Sequence, residues 1–169
     1  VLKALGAGEV KPLVELAQKQ NVAVVVQDDA QLARTVRADG VHLTPGKDIA
    51  ARFDAARDIL GRGAIVGIDP GVSRHDAMEL AEAGADYIAF GAPATLKDRE
   101  RGIEKRDELI DWWAEIFQVP CVALDVDSAD DAAALARAGA DFVGVVLPAA
   151  DAATFVREVA RALKEGADA

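Results

Sequence analysis

The chain has 169 residues and a formal net charge of −10, from 29 acidic and 19 basic side chains. That length is expected to form one domain, spanning 1–169, and it can bury roughly 70% of the surface an unfolded chain exposes. The acidic surface repels a phosphate backbone, which argues against nucleic acid, and no run of 18 apolar residues is present to span a membrane.

From the N-terminus, residues 8–20 carry Leu13, Val14 and Leu16 in a helical pattern. No strand precedes them, and the first residues, beginning at Val1, do not look like the start of a fold. An N-terminal piece is therefore expected ahead of Val1. No signal peptide is visible, so the cytoplasm is the expected compartment.

Six short apolar runs follow: NVAVVVQDD (21–29), RADGVHLTP (37–45), GAIVGID (63–69), EAGADYIAFGA (82–92), VPCVALDV (119–126) and RAGADFVGVVLP (137–148). Four or five consecutive apolar residues predict strands buried on both faces. Helical patterns fill the intervals at 29–38, 48–61, 73–83, 105–117, 128–138 and 151–165. The last carries Phe155, Val156, Val159 and Leu163 at helical spacing. Three of the strands are entered through a Gly-Ala-Asp or Ala-Asp-Gly turn, where Gly permits a left-handed helix cap and Asp tolerates the turn. Ser73 precedes Asp76 by three and Ser128 precedes Asp131 by three, in the manner of a capping box with Asp in place of Glu. The single cysteine, Cys121, lies inside an apolar strand and reads as a small core residue.

Strand–helix alternation with right-handed crossovers makes a parallel α/β sheet covered by helices. A doubly wound open sheet fits six strands. A (β/α)8 TIM barrel fits if its first two strands are absent here, and the opening helix without a strand favours that choice. No Gly-rich dinucleotide fingerprint follows any strand, which counts against a nucleotide-binding Rossmann fold.

The segments QDDAQLARTVRADGVHL, GADYIAFG and VPCVALDVDSADDAAALARAGADFVGVV resemble the thiamine phosphate synthase family and its relatives, the thiazole tautomerases. The resemblance runs from about Asn21 to the C-terminus, and ADGVHL and GADYIAFG are its most specific pieces. It implies a (β/α)8 barrel with a longer N-terminus, so that the six visible strands would be the third to eighth. It implies a transferase of thiamine biosynthesis that joins a pyrimidine methyl diphosphate to a thiazole phosphate with Mg2+. The partners it implies are small molecules; a homo-oligomer is allowed.

The resemblance distributes roles as follows. Gln27-Asp28-Asp29 stands where the family has Asn-Asp-Arg. Asp28 takes the metal position and Gln27 a substrate hydrogen bond, while Asp29 reverses a charge and reads as the N-cap of the next helix. Asp48 is the second metal candidate, or else a helix N-cap. His42 matches a family histidine inside the strand but reads as a packed polar residue, and His75 reads as a surface residue of the helix capped by Ser73. Gly91, Thr95 and Lys97 stand in the diphosphate loop. With Arg99, Arg101, Lys105 and Arg106 they form the most basic stretch, read either as a mobile lid or as a solvated charge run.

The phosphate cup of the family departs most. Asp125-Val126, followed by Asp127, replaces a Gly-Gly pair, and Leu147-Pro148 replaces Ser-Ala. Proline has no N–H to offer, and a carboxylate about 4 Å from a phosphate charge costs about 4 kcal/mol at an effective dielectric near 20. A second expectation follows: a diverged barrel, without synthase chemistry, that binds another small molecule against Asp125 and Asp127 or acts without catalysis.

Overall fold

A computed structural model describes residues 6–148 and 150–167. The described elements are α1 (Ala7–Gln18), β1 (Val25–Gln27), α2 (Ala30–Val36), β2 (Gly40–Leu43), α3 (Ile49–Leu60), β3 (Ile65–Ile68), α4 (Arg74–Glu82), β4 (Tyr87–Phe90), α5 (Arg99–Ile116), β5 (Cys121–Val126), α6 (Ala129–Arg137), β6 (Phe142–Val145) and α7 (Ala152–Ala167). Six strands alternate with helices after an initial helix, in the expected order. The chain divides into two compact units, Val1–Tyr87 and Ile88–Ala169.

In the first unit β1, β2 and β3 lie side by side and parallel, with Val26 opposite Val41 and His42 opposite Gly67. β2 is buried at all four residues. Val10 and Val14 of α1 close the core against Val26, Ala33 and Val36. In the second unit β4, β5 and β6 pair in parallel, with a register shift between Ala123 and Val126. Its core gathers Phe90, Leu109, Ile110, Trp113 and Leu135, with Phe90 edge-on to Trp113 at 6.0 Å. Cys121 is fully buried there and its Sγ contacts the Gly139 carbonyl at 3.6 Å.

The aspartate of each Ala-Asp turn does more than tolerate a bend. Asp39 donates its N–H to the Val24 carbonyl at 2.8 Å and accepts the Val24 N–H on its carboxylate at 2.7 Å. Asp86 makes the same pair with Val66, at 3.0 and 2.7 Å, and Asp141 with Cys121, at 3.1 and 2.8 Å. Each carboxylate satisfies the N–H at the mouth of the preceding strand and fixes the register of the one it begins.

Two expectations need correction. β6 is not buried on both faces: Phe142 is 62% exposed, because β5 is its sole strand neighbour among the described residues. The helix expected at 105–117 begins at Arg99. Asp98 is its cap, accepting the Arg101 N–H at 3.1 Å. Gly102 sits inside this helix, and the Leu96 side chain occupies the space a Cβ there would need.

Candidate functional site at the strand ends

Within each unit, candidate polar residues lie where strands hand over to helices, the end of a parallel sheet at which ligands bind.

In the first unit the chain leaves β1 through Gln27 and Asp28, and Asp28 takes a left-handed conformation (φ 58°). Its carboxylate then faces the start of the loop after β2. One oxygen accepts the Thr44 N–H at 2.8 Å and pairs with Arg52 of α3. The other accepts the Thr44 hydroxyl at 2.7 Å and the Gln27 amide at 3.3 Å. Burial opposes the charge on Asp28, but the hydrogen bonds from Thr44 and Gln27, with the Arg52 charge, outweigh it and hold the carboxyl below its usual range. Arg52 also donates to the Thr44 carbonyl at 2.8 Å. Asp28 and Arg52 border a recess of about 240 Å³ between α2 and α3, walled by Leu43, Ala55 and Ile59.

Asp29 is the N-cap of α2, accepting the Leu32 N–H at 2.8 Å. Asp48 stands at the cap position of α3 but has φ 58° and makes no capping hydrogen bond, so its carboxylate is exposed. His75 is exposed on α4 near Glu79, and Ser73 caps that helix as expected. His75, Asp76 and Glu79 form the one cluster of three metal-type ligands among the described residues; it includes neither Asp28 nor Asp48.

His42 is buried and its Nδ1 shares a hydrogen bond with the Tyr87 hydroxyl at 2.9 Å, the two rings stacked at 9°. Desolvation lowers its pKa to about 4, against a smaller upward pull from Asp28. Burial, with Asp86 nearby, raises Tyr87 to about 12. The pair is neutral at pH 7. Gly67 makes it possible, since a Cβ there would fall 1.8 Å from the Tyr87 ring. Tyr87, Thr44 and Arg52 were not singled out from sequence. A glycine in the middle of a buried strand was the available signal for Tyr87; nothing in the local sequence marks Arg52.

In the second unit Gly91 follows β4 directly, Thr95 lies in the turn closed by the Leu96 N–H on the Pro93 carbonyl, and Lys97 is exposed just before α5. The rest of the basic stretch forms the first two turns of α5. Arg99 pairs with Asp127 at 2.9 Å and reaches the Asp125 carbonyl at 3.4 Å. Its Nε is buried and unpaired among the described residues. Lys105 pairs with Glu108, and Arg106 is wholly buried between Asp107 and Asp131. Asp125 has φ 59° at the end of β5. The acidic wall expected from Asp125 and Asp127 therefore carries its own cation. Leu147 is 56% exposed after β6, and Pro148 is exposed beside it.

A parallel strand–helix chain with polar residues gathered at its strand ends belongs to the class of TIM-barrel-like α/β proteins. Two solved structures share that fold: a thiamine phosphate pyrophosphorylase from Pyrococcus furiosus, at TM-score 0.78 and 24% identity over 98% of this chain and 81% of that one, and 3-hexulose-6-phosphate synthase from Salmonella typhimurium, at TM-score 0.71 and 22% identity over 95% and 81%. The thiamine monophosphate synthase family model matches residues 7–149. The thiamine-phosphate synthase of Erythrobacter litoralis is 43% identical over 137 residues, 80% of this chain and 63% of that protein. That of Hyphomonas neptunium is 42% identical over 130 residues, 77% of this chain and 58% of that protein. The chain belongs to the thiamine monophosphate synthase family. It spans 63%, 58% and 64% of the length of three curated relatives it matches.

Proposed function

We propose that the protein carrying this chain is a thiamine-phosphate synthase, a transferase that acts on small molecules in the cytoplasm. The thiazole nitrogen attacks the pyrimidine methylene carbon; the C–N bond forms as the C–O bond breaks, and diphosphate leaves with the electron pair. The observation that carries this reading is family membership over residues 7–149, joined to polar residues placed at the strand ends. Gln27 would hydrogen-bond substrate. Gly91, lacking a side chain, would allow backbone approach, and Thr95 and Lys97 would meet the diphosphate with a hydroxyl and a cation. Arg99 offsets the charge of Asp127 beside the loop where the family binds phosphate, which relieves the repulsion expected from that loop.

When bound, Mg2+ would neutralise the departing diphosphate. Of the two carboxylates the resemblance gives it, Asp48 is unengaged in capping, but both oxygens of Asp28 are taken by protein donors. The pair as arranged does not fit the ion. A second reading, a barrel that binds another ligand, with Asp125 and Asp127 as its wall, or acts without catalysis, draws on the replacement of the phosphate-loop glycines by Asp125-Val126. Self-association is compatible with either.

The deciding experiment incubates the protein with pyrimidine methyl diphosphate and thiazole phosphate, with Mg2+ and separately with EDTA, and detects thiamine phosphate by mass. Product above the protein-free control supports the synthase reading. A folded protein that yields none in either arm sinks it and leaves the second.

A further inference from the structure

The carboxylate of Asp28 has four protein donors: the Thr44 N–H, the Thr44 hydroxyl, the Gln27 amide and the Arg52 guanidinium. The Arg52 bond is charge-assisted and the Thr44 hydroxyl bond is 2.7 Å long, and a cation would have to break both. A divalent ion prefers carboxylate oxygens with free lone pairs and no neighbouring positive charge. Arg52 is not an incidental neighbour. It is anchored a second time on the Thr44 carbonyl at 2.8 Å, and its side chain is 32% exposed, so two thirds of it is packed. The left-handed backbone at Asp28 aims the carboxylate at Thr44 and Arg52.

We propose that Asp28 in this chain is a positioning residue rather than a metal ligand: with Arg52 as its resident cation it clamps the start of α3 to the ends of β1 and β2, and it excludes divalent metal from that strand end. The clamp and the metal compete for the same oxygens. Removing Arg52 therefore opens the position, and removing Asp28 as well closes it again. The inference concerns the donor set alone. It stands or falls by metal binding, whereas the synthase reading stands or falls by product formation.

The test is electron paramagnetic resonance of free Mn2+ titrated with the whole protein as wild type, Asp28→Asn, Arg52→Gln and the double variant. Circular dichroism melts confirm that each is folded. The wild type and Asp28→Asn are expected to give the same Mn2+ binding, which includes any weak uptake at the exposed His75–Asp76–Glu79 cluster. Arg52→Gln is expected to bind Mn2+ about tenfold more tightly, since a unit positive charge beside the ligand is gone, and the double variant to lose that gain. If Asp28→Asn removes a Mn2+ site from the wild type, or if Arg52→Gln binds no better than wild type, the proposal is overturned.

Discussion

Arg37, in the Arg-Ala-Asp segment, occupies the position that Gly84 and Gly139 fill in the two Gly-Ala-Asp segments, and all three have positive φ, at 58°, 98° and 100°. The left-handed conformation costs a residue with a Cβ about 1–2 kcal/mol, against about 0.5–1 kcal/mol of extra chain entropy for glycine. Arg37 is exposed, and its N–H still closes the end of α2 on the Ala33 and Arg34 carbonyls. Arg37→Gly is therefore expected to leave the fold unchanged and to raise stability by up to about 1 kcal/mol, read as a higher urea midpoint. Gly139→Ala goes the other way. Its Cβ would fall 2.5 Å from that of Ala114, and the backbone strain adds to the clash, so a loss of about 2 kcal/mol is expected. A Gly139→Ala protein as stable as wild type would show that the cap does not hold the geometry described. The positive-φ aspartates Asp28, Asp48, Asp125 and Asp151 belong to the same account, since a short polar side chain tolerates this region better than most.

The first two turns of α5 show how an element can mislead a reader of sequence. Lys97, Arg99, Arg101, Lys105 and Arg106 look like a solvated basic run or lid, yet Arg106 has no exposed side-chain surface. It donates to Asp107 at 2.9 Å, to Asp131 at 2.8 Å and to the Leu124 carbonyl at 3.3 Å. Burial works against its charge, but the bonds to Asp131 and Asp107 more than compensate, and its pKa is raised. One guanidinium thus ties α5 to β5 and to the first turn of α6. Arg106→Ala leaves Asp131 without its partner and opens a cavity, so a loss of about 3–5 kcal/mol is expected in urea denaturation. Pairing Arg106→Met with Asp131→Asn removes both charges and keeps most of the volume, and is expected to recover more than half of that loss. If the double variant is no better than Arg106→Ala, the charge pair is not what the element depends on. Strand order, helix order and the caps at Asp29, Ser73 and Ser128 were readable because they rest on local periodicity and short-range bonding. Arg52 with Asp28, Tyr87 with His42 and Arg99 with Asp127 were not, because each joins residues separated by 24 to 45 positions or, for Arg99, by 28, and no local pattern encodes that distance.

The response of the molecule to acid follows from two groups and one opposing charge. His42 keeps a pKa of about 4 when folded, against 6.5 in an open chain. Between those values the unfolded chain takes up a proton that the folded chain refuses, so stability falls as pH falls from about 6.5 to about 4. The expected loss on going from pH 7 to about pH 5 is about 2 kcal/mol. Asp28 acts in the same direction but later. Its folded pKa lies below the ordinary 3.8, so its contribution is present above that value and is lost as pH falls through the folded pKa. Against both stands the net charge of −10, which shrinks toward zero near the pI of 4.6 and relieves self-repulsion. Surface repulsion is screened by salt, with a Debye length of about 8 Å at physiological ionic strength, whereas the His42 effect is buried and is not. Urea midpoints measured at pH 7 and about pH 5 in physiological salt should therefore show the histidine loss nearly in full. His42→Gln keeps a hydrogen-bonding partner for Tyr87 but cannot titrate, so its stability is expected to be flat across the same interval. A wild type that is equally stable at both values, or a His42→Gln protein that keeps the slope, would assign the acid response to other groups and remove His42 from its role as a histidine held neutral by the core.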